Sequence, residues 1–486
     1  MLALFGFLTV GVFLALTLFT RTSVLVGLVL VPVVFAVLAG EGPDLGSYMA
    51  DGVLKVAPVA VMMTFAVLYF SLMMEQGLFD PLIRTIVRWA KGDPVKITVG
   101  TALVTMCVSL DGDGAATFLI TLSAFLPIYR RIGMRPLVLT AVVALGAGLM
   151  NLLPWGGPTL RAMAALDLPS SEIFTPMIIP MIAGGVWVLV ASYLLGRGER
   201  RRLGRITLDA REKVTVGAAT GDTGSSDATG TDATSSDAAG TAGTAGTVTT
   251  TGTVTTTGTV SGDHPDFDHA AAHQWNDTDV PLWRMITNAL LTVVLIVVML
   301  THSIPMEICF LVAFVIALCI NIPSWKDQQE LMQKHGSSVV LVTSMVFAAG
   351  VFTGVLGGTG MIQEMARALA DLIPQGMADA LPVTLSVISM PLSLVFTPDA
   401  FYFGVLPVFA ETAGAMGVDP AMIAHAAIAG QMTTGFPLSP LTASTFILIG
   451  MAKVELGDHQ KFTFLWAWGT TVVITLTALV TGALSI

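Results

Sequence analysis

Charge is scarce in this chain. Asp, Glu, Lys and Arg together make up 12% of its 486 residues, and the formal net charge is −10. So little Lys and Arg leaves no basic footprint for nucleic acid, and no nucleic-acid partner is expected. Cysteine is scarcer still: Cys107, Cys309 and Cys319 are the whole set. Each falls in an apolar segment and none stands at metal-ligand spacing. That excludes a disulfide framework or a thiolate metal centre and leaves buried thiols. The first residues, Met1-Leu2-Ala3-Leu4, lack the basic stretch of a cleaved signal peptide, so they are expected to open the first span. No tightly bound cofactor is expected.

Apolar residues fill the space that charge leaves. They account for 54% of positions, and mean hydropathy is +0.80. Several windows reach or approach the ~18 apolar residues that read as a membrane span. The chain is therefore expected to be an all-α polytopic protein of the cell membrane.

The most informative stretch is Ser109-Leu110-Asp111-Gly112-Asp113-Gly114. It divides two apolar arms within 95–128, and basic residues stand outside both ends: Lys91 and Lys96 before, Arg130 and Arg131 after. The whole is too long for one crossing of ~20 residues and too short for two crossings with a loop. A re-entrant hairpin turning near the midplane fits. Such irregular backbone is tolerated at depth only when it is buried in protein or lines a wet cavity, and transporters place their sites there.

A second interruption lies in 137–165, at Asn151-Leu152-Leu153-Pro154-Trp155-Gly156-Gly157-Pro158-Thr159. Proline and glycine there predict a discontinuous helix. Both signals recur in order. A double-length apolar stretch, 381–416, carries Thr397-Pro398-Asp399 at its middle, and 421–450 carries Gly430-Gln431-Met432-Thr433-Thr434-Gly435-Phe436-Pro437-Leu438-Ser439-Pro440. Amphipathic stretches at Phe79–Ala90 and Met361–Leu372 precede the two hairpins.

The halves are thus 1–196 and 281–486, each with about five spans, one hairpin and one broken helix. An odd number of spans inverts the second copy. Basic clusters at Arg21, Arg84–Lys96, Arg130–Arg135 and Arg197–Arg205 all face the cytoplasm if the N-terminus is outside. Between the halves lies 197–280, of which 214–279 is dominated by Thr, Gly, Ala, Ser and Asp. It cannot bury a core and is expected to be a disordered cytoplasmic linker. His264, Asp266, Asp268, His269 and His273 could chelate a metal, but a solvated linker is the better reading.

Carboxylates inside a membrane cost ~2.5–3.5 kcal/mol on insertion scales, so Asp111, Asp113 and Asp399 need a compensating role. With Ser109 and Thr397 they are candidates for ion or proton coupling. Asp111 and Asp113 could also complete a metal shell, although Asp113 could instead cap a half-helix. Asn151, Thr159, Thr433, Thr434 and Ser439 supply short polar groups to a substrate. Gly156, Gly157 and Gly435 would let it approach the backbone. Arg161 could pair with an anionic substrate or snorkel to the outer interface. His425 reads as packed.

These four motifs, in this order, resemble the citrate–divalent metal–proton symporter family (CitMHS) of the ion transporter superfamily. The resemblance covers nearly everything outside the linker. It implies secondary active, proton-coupled uptake of citrate complexed with a divalent cation of the Mg or Ca type, carried as cargo. It also implies a homodimer with a scaffold and a mobile transport part. Sodium-coupled relatives carry Ser-Asn-Thr at the hairpin tips, where this chain has Ser109 and Thr397 with aspartates nearby, a pattern that points away from sodium. Two alternatives remain: a carrier of another organic anion or an oxyanion, and an intramembrane aspartyl protease prompted by Gly112-Asp113. The inverted repeat argues against the second.

Overall fold

The computed structural model describes residues 1–19, 23–90, 92–112, 114–203, 281–301, 303–373 and 378–485, apart from the side chains at positions 18, 80, 84, 87, 88, 90, 111 and 300. The linker reading from 204 to 280, with its His and Asp residues, lies outside the described residues, as does Asp113, while 197–203 continue a helix instead of opening a disordered linker. Among the described residues every regular element is helical, and they belong to one compact unit drawn from 1–207 and 271–486.

In the first half, α1 (Leu2–Phe19), α2 (Val24–Leu38) and α3 (Leu45–Glu75) lead to the amphipathic α4 (Asp80–Ala90). Next come α5 (Pro94–Val108) and α6 (Gly114–Ile132), packed together around a 3-10 turn at Ser109–Asp111. Irregular chain separates α7 (Pro136–Met150) from α8 (Gly157–Leu166), and α9 (Ser170–Ile173) and α10 (Ile178–Leu203) close the half.

The second half repeats this order. It has α11 (Leu282–Thr301), α12 (Met306–Asn321), the long α13 (Trp325–Gly358) and the amphipathic α14 (Met361–Ala370). Next come α15 (Leu381–Leu392) and α16 (Leu406–Ala415), with a π-helical turn at Ala400–Val405 between them. A broken helix follows from α17 (Pro420–Ile428) and α18 (Ala443–Ala452), then α19 (Leu456–Thr481). Among the described residues six segments are long and apolar enough to cross a membrane: Leu45–Glu75, Gly114–Ile132, Ser170–Leu203, Leu282–Met299, Trp325–Gly358 and Leu456–Thr481.

The most extensive helix pairing joins α3 to α13. It depends on glycine. A Cβ on Gly52 would overlap the Gly350 carbonyl, one on Gly350 would stand 2.6 Å from the Gly52 oxygen, and one on Gly354 would stand 2.7 Å from the Gly52 Cα. Small residues permit this close approach of backbones in a membrane, where packing replaces the hydrophobic drive between helices. Both helices outrun their apolar runs, which begin near Leu54 and Val339. The apolar run marks only the hydrocarbon thickness, while α3 and α13 continue into polar surroundings at Leu45 and Trp325. There Glu75 pairs with Lys334 at 2.6 Å, tying the end of α3 to the start of α13. Likewise α10 runs on to Leu203 through the arginine cluster. The buried Glu199 carboxylate holds Arg135 at 2.6 Å and Arg202 at 2.8 Å there.

Candidate functional site

The first hairpin starts on a firm cap: the Asp93 side chain accepts the Val95 N–H at 3.0 Å, and Pro94 takes the first helical position. Its tip turns at Gly112, where φ is 73°, a left-handed value that favours glycine. Trp155, from the broken helix α7–α8, donates its Nε1–H to the Leu110 carbonyl at 2.6 Å. Ser109 is buried and its Oγ has no partner. The backbone of Asp111 sits in the 3-10 turn. Its side chain and the whole of Asp113 lie outside the described residues.

The break between α7 and α8 needs Gly156, since a Cβ there would overlap the Asn151 carbonyl. Asn151 reaches the other half: its Nδ2 donates to the Met432 carbonyl at 3.2 Å. Met432 has a φ of 52°, unusual for a residue other than glycine. The two breaks therefore touch. Contact continues where a Cβ on Gly114 would overlap the Phe436 ring, which stacks on Phe118 at 5.9 Å between centroids.

Ser393, at the end of α15, organises the second break. Its hydroxyl donates to Gln431 Oε1 at 3.1 Å and accepts the Met432 N–H at 2.8 Å, and its carbonyl accepts Ser439 Oγ–H at 2.6 Å. Tyr402 donates to the Gln431 carbonyl at 2.9 Å. Gly435 is required because a Cβ there would collide with Ser393 Oγ. All these groups are buried, and Gln431 Nε2 has no partner.

Several expected substrate-binding hydroxyls are engaged internally. Thr159 Oγ1 donates to the Leu152 carbonyl at 3.1 Å, and Thr433 Oγ1 donates to the Ile428 carbonyl at 2.6 Å. Thr434 Oγ1 pairs with Thr471 Oγ1 of α19 at 2.5 Å. Thr397 Oγ1 accepts the Ala400 N–H at 3.3 Å, as a local cap. The structure uses these hydroxyls to finish the broken backbone. The buried donors left over at the breaks are Ser109 Oγ and Gln431 Nε2.

Arg161 is held by a carboxylate from the other half. Its Nε–H donates to Asp399 Oδ1 at 2.8 Å, and the two side chains are 22% and 12% exposed. Its Nη1–H donates to the Gly157 carbonyl at 3.1 Å. One buried ion pair thus ties α8 of the first half to the hairpin tip of the second. Beyond it, α8 borders a cavity of about 470 Å³ lined by Met163, Asp167 and Ser170 and, from α3, Lys55 and Met62. Lys55 meets Asp167 there at 3.2 Å. Among the described residues no cluster of three or more His, Cys, Asp or Glu could hold a metal. His425 is buried, its ring nitrogens 2.8 Å from the carbonyls of Ala483 and Glu172, in keeping with a packed role.

Residues 3–430 match the CitMHS family, described as citrate transporter. The chain belongs to the CitMHS family of citrate transporters. It is 44% identical to a Bacillus subtilis (strain 168) citrate transporter, over the full length of both chains. It is also 41% identical, again over both full lengths, to a Mg(2+)/citrate complex secondary transporter of the same strain. In fold it is similar to the Alcanivorax borkumensis YdaH transporter, with a TM-score of 0.58 at 12% identity, covering 91% of this chain and 88% of that one. Neisseria gonorrhoeae MtrF gives 0.57 at 11%, covering 90% and 85%. A CitMHS chain with these helices is a multi-pass membrane transporter and not an enzyme, so the protease alternative is withdrawn.

Four features of this CitMHS site escaped sequence reading: Ser393, Gln431, Tyr402 and the partner of Arg161. A serine within an apolar helix carries no distinguishing signal, because such hydroxyls commonly bond within their own helix. Gln431 stood inside a recognised motif, and only its unpartnered amide sets it apart.

Proposed function

We propose that the protein is a secondary active transporter that imports citrate as a complex with a divalent cation of the Mg or Ca type, in symport with protons. The observation that carries this reading is the charge at the breaks. Arg161 is the one basic residue there, and Asp399 already neutralises it. Asp111 and Asp113 add further carboxylates at the tip of the first hairpin. A bare tricarboxylate brought into such surroundings would meet repulsion and lose its hydration. A divalent cation cancels most of that charge before the anion leaves water, and hard cations favour the oxygen ligands that citrate offers. The relatives support the same cargo. Asp111, Asp113 and Asp399 supply carboxylates for proton coupling, and Asp111 and Asp113 also for the metal, while Ser109 and Gln431 supply donors at the breaks. In this reading the membrane halves 1–196 and 281–486 are inverted repeats joined by a cytoplasmic linker, 197–280, and the protein works as a homodimer.

The test is uptake of labelled citrate into proteoliposomes bearing a pH gradient. Strong chelation of divalent ions is expected to stop uptake. Titrating Mg or Ca back is expected to restore it in proportion to the metal–citrate complex rather than total citrate. Robust uptake in excess chelator would refute the complex as cargo and favour a carrier of free organic anions.

A further inference from the structure

We propose that Arg161 and Asp399 form a proton-operated exchange switch: Asp399 holds the guanidinium in the empty carrier, and a proton on Asp399 frees it for a carboxylate of the anionic cargo. The inference rests on the reading of the protein as a proton-coupled anion carrier, and it assigns the proton to one carboxylate and the anion to one cation.

Three observations meet at this pair. The first is its place: Arg161 lies on the second half of one broken helix, and Asp399 lies at the hairpin tip just ahead of the π-helical 400–405. Breaking the bond therefore removes one of the ties between the halves. The second is the bonding: only Nε reaches Asp399 Oδ1, at 2.8 Å, and Nη1 bonds the Gly157 carbonyl. Guanidinium N–H groups outside the ion pair can approach a second carboxylate, which Arg binds in a planar, two-point fashion.

The third is isolation. The segment 400–405 packs against α1, α8, α13 and α16. No titratable residue occurs on α1, nor on α13 between Val339 and Gly358. On α8 the other charged neighbour, Asp167, is paired with Lys55 at 3.2 Å. On the hairpin, Tyr402 lies within electrostatic reach of Arg161, but its hydroxyl is committed to the Gln431 carbonyl at 2.9 Å. Glu411 of α16 stands roughly 18 Å further along the helix by its rise. Helix α8 also packs against α3, α9 and α17, which bring Asp51, Glu172 and His425, and His425 is held by the carbonyls of Ala483 and Glu172. Among the described residues the ion pair that Arg161 makes is with Asp399.

Four states follow. Ionised Asp399 without cargo gives a neutral pair. Protonated Asp399 with cargo gives an equally balanced pair of guanidinium and substrate carboxylate. A proton without cargo strands a buried cation, and cargo without a proton sets two carboxylates on one guanidinium. Both mixed states are penalised in a low-dielectric interior. Proton and anion thus favour each other's binding, and the linkage is reciprocal. The proton comes from water and adds to the Asp399 carboxylate, while Arg161 keeps its charge throughout.

The experiment is magnesium citrate binding to the purified full-length protein. It uses titration calorimetry in buffers of different ionisation enthalpy, over a pH range in which the complex itself does not titrate. Wild type is expected to take up a proton with each complex, and its Kd to rise about tenfold per pH unit once Asp399 is ionised. Asp399→Asn is expected to take up none and to bind with a flat pH profile. Arg161→Gln/Asp399→Asn removes both charges, so it leaves neither stranded if the single variant fails to fold. The double variant is expected to stay folded and to lose citrate binding. Proton uptake persisting in Asp399→Asn would overturn the switch. So would citrate binding by the double variant, or wild-type binding without proton uptake while a pH gradient still drives transport. A wild type whose transport ignores the pH gradient would instead bring down the underlying symport reading.

Discussion

Trp155 and Ser393 do by single contacts what the apolar bulk of the chain cannot. The indole N–H of Trp155 fixes the first hairpin tip at Leu110, and Ser393 fixes the second break at three points. Removing one partner of a buried hydrogen bond costs about 1–3 kcal/mol, because the other group is left unsatisfied. Ser393→Ala strands the Met432 N–H and Gln431 Oε1, while the backbone carbonyl still accepts from Ser439. The expected result is a protein that melts at lower temperature in detergent and whose maximal uptake rate falls several-fold, read from a thermal unfolding curve alongside transport. An unchanged melting curve and unchanged uptake would show that the break needs no such anchor. The aspartates, glycines and prolines of the site were legible because each is costly in a membrane helix and so advertises itself. Ser393 and Gln431 were not, because their meaning comes from what faces them across thirty-odd positions of chain, and hydropathy carries nothing about facing. Arg161 was visible as an oddity, but its partner in the other half was not.

At the level of elements, the interruptions were legible and the ends were not. Breaks at 151–156 and 429–442, and the hairpin turns after Val108 and Leu392, fall where Pro, Gly and Asp interrupt apolar runs. Helix ends differ because a helix of 31 residues such as α3 spans about 46 Å by its rise, well beyond an apolar core of about 30 Å. Its polar overhang resembles loop in composition. The α3–α13 crossing offers a test at this scale. Gly52→Ala puts a methyl group against the Gly350 carbonyl, and backbone cannot move aside as a side chain can. Overpacking of this kind typically costs about 1–3 kcal/mol. The variant is expected to lose thermal stability, while Gly11→Ala, which meets nothing within 4 Å, is expected to be neutral. Equal melting temperatures for the two would mean that the crossing does not depend on glycine.

For the whole molecule, the recurrence of element order was readable because the same unusual motifs recur in the same sequence. Membrane orientation follows from the basic residues alone, and it predicts an external N-terminus and a cytoplasmic linker. A cysteine placed at Ser225, in a background lacking the native thiols, is expected to resist impermeant maleimides in intact cells and to react once the membrane is opened. Labelling from outside would reverse the orientation. The way the halves lean on each other was beyond sequence, and it carries a mechanical consequence at Trp155. The indole turns its polar edge inward to the hairpin and its faces outward, stacking on Phe70 of α3 at 5.7 Å and meeting Phe310 of α12 edge-on at 5.2 Å. This contact is ring against ring, so its strength is set by the shape and stacking of the rings rather than by donors and acceptors, and the one directional bond of Trp155 is kept for the hairpin.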